Sequence, residues 1–172
     1  MRLALYGTIW VAMVLFVAGE TGKRRAPHSP WPWRAWTIGA VFCAAHMVIA
    51  MGFHHGWSHE HAIRETAARS AAVYGFGWSG GLYVNYAFLI LWIAETLWWA
   101  VDPDSYSRRS PVVTWLLRVF YAIIIVNGVV IFASAPGRVA GVTLSAWLAW
   151  IWWRSVAPSD RLSARTHGTA VD

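Results

Sequence analysis

Apolar residues run through this chain in long unbroken blocks, not in the alternating or one-sided patterns that line a soluble core. Five blocks stand out, at residues 3–19, 35–53, 81–101, 111–134 and 139–153, with short polar stretches between them. A helix rises about 1.5 Å per residue and the hydrocarbon layer of a bilayer is about 30 Å thick, so about 20 apolar residues cross it. Backbone amides find no water in that layer, which leaves the helix as the form such blocks take. The pattern predicts an all-α integral membrane protein: a bundle of about five transmembrane helices forming one domain over residues 1–157. The fifth block only just reaches the length required. The first, behind Arg2, also has the length of a signal-peptide core, but Val17-Ala18-Gly19 is a weak cleavage context and the downstream spans favour a retained helix.

The polar stretches carry their own signals. Residues 20–34 combine a basic run with Pro27, Pro30 and Pro32, which predicts an extended connection. Residues 54–80 form the longest polar segment. Within it Ser58-His59-Glu60, followed by Ala62, Ile63, Ala67 and Ala71, predicts a short extramembrane helix after span two, with Ser58 as N-cap and glycines from Gly75 onward ending it. Residues 158–172 are polar and predicted to be disordered, and His28 and His167, in loop and tail, read as incidental.

Composition supports the membrane assignment, since 13% of the 172 residues are charged and 58% hydrophobic, against about 25% charged in soluble proteins. The basic residues fall unevenly. Lys23, Arg24, Arg25, Arg34, Arg108, Arg109, Arg154, Arg161 and Arg165 sit on one side of the predicted bundle, and Arg2, Arg64, Arg69 and Arg138 on the other. Short cytoplasmic loops retain positive charge, so the N-terminus is expected outside, the C-terminus in the cytoplasm, and residues 54–80 on the outer face of an inner or plasma membrane. The net charge of +6 is explained by the same rule and gives no ground for nucleic-acid binding, although the basic loop is placed to meet anionic lipid. The lone Cys43 lies inside span two and allows no intrachain disulfide. Trp31, Trp33, Trp36, Trp98, Trp99, Trp152 and Trp153 are expected to form an interfacial belt, with a pigment site or aromatic cage as the alternative use of so many tryptophans.

Ionisable groups inside a bilayer cost at least about 2.5 kcal/mol each, so each needs a partner or a purpose. Glu95 lies roughly 9 Å and Arg118 roughly 10 Å from the cytoplasmic boundary at 1.5 Å per residue, level enough to form a structural ion pair. A proton-carrying Glu95 is the functional alternative. His46, Asn85 and Asn127 fall roughly 6 to 11 Å below the outer boundary, either as interhelical hydrogen-bonding groups or as the lining of a cavity.

Directly above them the segment MGFHHGWSHEHAIRE places four histidines within eight residues. On a continuous helix His55 and His59 share a face at the spacing by which two imidazoles chelate one ion, and His54, His61 and Glu65 form another face. Gly52 and Gly56 allow a bend instead, which would gather the histidines with His46 or with Glu60 and Glu65. Imidazoles without a thiolate point to Zn, Cu or Fe. His46 is also a candidate single ligand for a haem or chlorophyll-type macrocycle; an in-membrane bis-histidine haem is disfavoured because spans one, three, four and five lack histidine. HGWSH resembles the spacing of zinc hydrolases, but Gly56 replaces their glutamate, leaving Glu60 or Glu65 as candidate bases on a metal-bound water.

These features lead to the expectation of a transition-metal-binding membrane protein that is an accessory or redox-linked subunit of a larger complex, because so little of the chain lies outside the spans. Its partners would be the bilayer, other membrane subunits or a second copy. A metal-dependent enzyme acting on a lipid or quinone at the outer leaflet is the alternative, and a helix-packing subunit without a cofactor is the third reading. A proton or quinone mouth and a solvated collar compete with the metal for the histidine segment itself.

Overall fold

The computed structural model describes residues 2–26 and 29–154, and over them the chain is all helical. Seven α-helices follow in order: α1 Arg2–Arg25, α2 Trp31–Ile49, α3 His59–Tyr74, α4 Gly81–Val101, α5 Pro103–Ser107, α6 Pro111–Val126 and α7 Ala135–Arg154. α2 and α6 each run on into one wider π-helical turn, Ala50–His54 and Asn127–Ile131. Among the described residues four segments are long and apolar enough to cross a membrane: Leu3–Arg25, Trp31–His54, Gly81–Val101 and Pro111–Ile131. The fifth predicted block is helical as α7, long enough at 20 residues for about 30 Å, but diluted by Gly137, Arg138, Gly141 and Thr143. The expected disordered tail lies outside the described residues, as do His28 and His167.

The largest departure from the sequence expectation is at the end of α1, which continues to Arg25 where a loop from residue 20 was expected. Lys23 pairs with Glu20 one turn back at 2.7 Å, and Lys23, Arg24 and Arg25 occupy the last turn, where cations offset the negative end of the helix dipole. α2 begins at Trp31, inside the stretch expected as a connection, and Pro32 belongs to its first turn, where its missing N–H is not needed.

Phe16 of α1 is the centre of the bundle, with Trp36 of α2, Trp92 of α4 and Tyr121 of α6 at ring distances of 4.6, 5.0 and 5.4 Å. Lipid tails are as apolar as leucine, so burial from water does not drive these helices together and close packing must. Glycine makes the closest approaches possible. A Cβ at Gly39 would lie 2.8 Å from the Trp92 ring, and one at Gly141 of α7 would run into the backbone carbonyl of Val129 in the second π turn. Trp36 and Trp152, expected at the rim, are buried in the bundle, whereas Trp153 is 80% exposed. Leu97, Leu116, Ile90 and Val101 cover the outward surface with apolar side chains.

α1 and α2 form an antiparallel hairpin, which separates two ends of the molecule. The histidine end holds the exit of α2 and all of α3. The arginine end holds the C-terminus of α1, the start of α2, α5 and the C-terminus of α7.

Candidate functional site

The histidine end is built by a sharp reversal. The last turn of α2 widens, and His55 donates its N–H to Ala50 O and Trp57 to Met51 O. Gly56 and Trp57 then both take the left-handed conformation, at φ 57° and 59°. For tryptophan that conformation costs on the order of 1–3 kcal/mol and persists only where its surroundings impose it. Here the indole covers Gly52, at which a Cβ would sit 3.0 Å from the ring. Ser58 resumes extended backbone and its Oγ accepts from His61 N at 3.2 Å, the cap its sequence context predicts, and Gly75 closes α3 at φ 80°. The outcome is that His54 and His55 face the flank of α3 carrying His61, Glu65 and Arg69.

Glu65 is the hub of this flank. His54 Nε2 lies 2.9 Å from its Oε1 and His55 Nδ1 3.3 Å from its Oε2. Arg69 donates to Oε1 from Nη2 at 2.6 Å and from Nε at 3.1 Å. The same Nη2 is 2.8 Å from His54 Nε2. Arginine is a donor only, so it can donate to His54 Nε2 only while that nitrogen is unprotonated; a protonated Nε2 donates to Glu65 instead. The His61 ring stands edge-on to that of His55 at 5.5 Å. His55 Nδ1 is buried and, though within ion-pair range of Glu65, makes no hydrogen bond.

The electrostatics follow from these contacts. Burial lowers the His55 pKa; Glu65 pulls it back up, but His54, His61 and Arg69 oppose a further positive charge, and the net direction is down. For Glu65 burial alone would raise the pKa, but the Arg69 hydrogen bonds and charge, helped by His54 and His55, outweigh it and hold the carboxyl below its ordinary range. At neutral pH the cluster is therefore an ionised carboxylate and guanidinium beside a neutral His55.

The remaining predicted residues go elsewhere. His59 and His55 do not share a helix face, because the helix is broken between them; His59 lies 3.4 Å from Tyr83 OH and stacks on Tyr86. Glu60 is exposed and pairs with Arg64, one turn along α3. His46 turns Nδ1 to the Leu5 carbonyl of α1 at 2.9 Å and to Thr8 Oγ1 at 3.4 Å, joining α2 to α1. Asn127, in the second π turn, donates to Ile123 O at 2.7 Å and accepts from Tyr74 OH, which ties the end of α3 to α6. Asn85 is exposed on α4. Similar depth does not bring His46, Asn85 and Asn127 together, and no hydrogen bond joins them among the described residues. Nor, among the described residues, are three His, Cys, Asp or Glu side chains grouped so as to hold a metal ion.

At the arginine end the partner of Glu95 is Arg109, not Arg118. Asp102 caps α5 by accepting from Ser105 N at 2.9 Å, and that turn brings Tyr106 and Arg109 beneath α4. Glu95 also accepts from Tyr121 OH at 2.7 Å and Tyr106 OH at 3.3 Å. A second pair, unforeseen because residues 20–34 were expected as loop, is Glu20 with Lys23; Trp152 Nε1 donates to Glu20 at 2.7 Å. The Lys23 ammonium lies 3.3 Å from the centre of the Trp36 ring, with Trp99 and Tyr106 at 5.1 and 5.4 Å. Its i, i+3 spacing to Glu20, continuous with the first apolar block, was the available signal. Arg118 is left 5.8 Å above the Trp152 ring with its Nε unbonded. Each carboxylate thus has one cation and at least one neutral donor, the full pairing that a buried ion requires.

Comparison with protein-family models, with curated proteins and with solved structures finds no match for this chain.

Proposed function

We propose that this chain is a five-span membrane protein, an accessory subunit of a membrane complex, whose histidine end is a proton-responsive site joining α2 to α3. The observation that carries the reading is the convergence of His54, His55 and Arg69 on the one carboxylate of Glu65, with His61 behind them. Arg69 already supplies a cation to Glu65, so a proton taken up by His55 adds positive charge beside that guanidinium, and acid weakens the junction between the two helices. Hydrogen exchange of α3 in the reconstituted protein tests this. Protection of residues 59–74 should fall between neutral pH and about pH 5, below the ordinary histidine range, and the fall should be much smaller in His55→Gln. Equal protection at both pH values would remove the proposal.

The same convergence of two imidazoles on a carboxylate supports a second reading, a transition-metal site with His54, His55 and Glu65 as its donors. As they stand these side chains are not grouped to hold an ion, so binding requires their rearrangement. The metal would have to displace Arg69 from Glu65. Metal analysis of the purified protein decides it: zinc, iron or copper near one per chain, lost in His54→Ala/His55→Ala, supports the metal, and its absence supports the proton site. With Arg64 and Arg69 at this end and Lys23, Arg24, Arg25, Arg108 and Arg109 at the other, the proposed orientation has the histidine end outside. A C-terminal reporter active only outside the cytoplasm would overturn that orientation.

A further inference from the structure

At the arginine end, the C-termini of α1 and α7 meet around a crevice of about 130 Å³ lined by Thr21, Arg24, Arg25, Trp150, Ile151 and Arg154. Among the described residues three guanidiniums and no carboxylate line it. The two helix C-termini bring about −0.5 charge each, so the three arginines leave the crevice about +2. Arg24 is held in place by donating to Ile151 O at 3.0 Å and to Arg154 O at 2.9 Å, both in the last described turn of α7. That uses two of its five N–H donors. Arg154 is packed over the Trp150 ring at 4.4 Å.

The wall of the crevice is amphipathic. Thr21 Oγ1 donates to Val17 O at 2.7 Å and accepts from Trp147 Nε1 at 3.3 Å, and the Trp147 and Trp150 rings lie 5.2 Å apart on the outward side of α7. Tryptophans of this kind settle at the boundary between headgroups and hydrocarbon. A ligand suited to the place carries a phosphate for the arginines and an apolar portion for the indoles.

We propose that this crevice binds the phosphate group of an anionic phospholipid. Guanidiniums match phosphate oxygens through paired N–H donors, and basic pockets between transmembrane helices are a recurrent form of lipid headgroup site. The site is remote from the histidine cluster and does not depend on the reading given to it.

The test reconstitutes the full chain in phosphatidylcholine vesicles with and without phosphatidylglycerol and measures which lipid is retained by native mass spectrometry. A charge-assisted contact to a bound phosphate contributes about a factor of ten, so Arg25→Gln/Arg154→Gln should lose roughly 100-fold in preference for phosphatidylglycerol. A charge-matched control, Arg34→Gln/Arg108→Gln, removes two exposed arginines from the same end and should lose clearly less, no more than about fivefold per arginine from general surface charge. Equal losses in the two double variants, or no preference in the parent protein, would overturn the site. Should the double variant fail to fold, Arg25→Gln alone is expected to lose about tenfold, and an unchanged preference there counts against the site. In detergent, inorganic phosphate distinguishes the source of the group. Stabilisation of the lipid-free parent by phosphate, absent in Arg25→Gln/Arg154→Gln, would keep the phosphate chemistry but assign it to the free ion, whereas no effect of phosphate alongside retained phosphatidylglycerol assigns it to lipid.

Discussion

Glu95→Gln is the substitution whose consequence the structure specifies most closely. Glu95 faces Arg109 and accepts from Tyr121 and Tyr106, and both members of the ion pair are largely buried. Removing one partner of such a pair strands the other charge and costs about 3–5 kcal/mol. Glutamine keeps an acceptor for Tyr121, a hydrogen bond worth about 1 kcal/mol, so the lower end, about 3 kcal/mol, applies. For a chain of this size 1 kcal/mol shifts the melting temperature by about 2–4 °C, giving a loss of about 6–12 °C. Arg118→Gln should cost far less, because among the described residues it has no ion pair within 4.0 Å and gives up a distant cation–π interaction worth about 0.5–1 kcal/mol and a longer-range attraction to Glu20. Glu95→Gln/Arg109→Gln should recover more than half of the single-variant loss, since no charge is then stranded. Thermal unfolding in detergent, followed by circular dichroism, measures these three and Arg109→Gln alone. A parent-like melting temperature for Glu95→Gln, or an Arg118→Gln loss equal to it with Arg109→Gln silent, would refute the pairing.

Gly141→Ala places a methyl group against the Val129 carbonyl, where backbone must move, and should lower stability by about 1–3 kcal/mol in the same melting assay. Ser58→Ala removes the cap of α3, worth about 1 kcal/mol, and should raise hydrogen exchange in the first turn of that helix while leaving α4 unchanged. The pH dependence has one sign for both shifted groups. The folded pKa of Glu65 is depressed, so its contribution is present above the ordinary carboxylate range near 4.3 and lost as pH falls through the lower folded value. The folded pKa of His55 is also depressed, so its contribution is complete above about 6.5 and lost as pH falls below that. Stability measured by denaturant titration should therefore decline on acidification in two stages, and His55→Gln should remove the one nearer neutrality.

Block length carried most of the fold. Residues 81–101 were delimited as observed because Gly81 and Asp102 bracket a run of apolar residues broken only by Asn85, Glu95 and Thr96, and Ser58 and Gly75 marked α3 because capping chemistry is local. Pairing was harder to read, since depth along a helix follows from counting residues whereas the direction of a side chain around the bundle does not. Glu95 and Arg118 are level but face different neighbours, and Arg109 reached Glu95 only through the turn made by α5. In the histidine segment Gly52 and Gly56 suggested a bend, but which partners the histidines meet depends on two successive left-handed residues, and nothing in the sequence marked Trp57 as the second. His59 left the cluster for Tyr83 and Tyr86, while Arg69, fifteen residues from His54, entered it.

The central claim is that protons taken up around Glu65 loosen α3 from the end of α2. Spin labels at the exposed positions Phe53 and Ala68, read as a distance distribution across an acid titration, report on it directly. The expected result is one short distance at neutral pH and a growing longer population below the ordinary histidine range, much reduced in His55→Gln. A distribution that stays unchanged through the titration would contradict it.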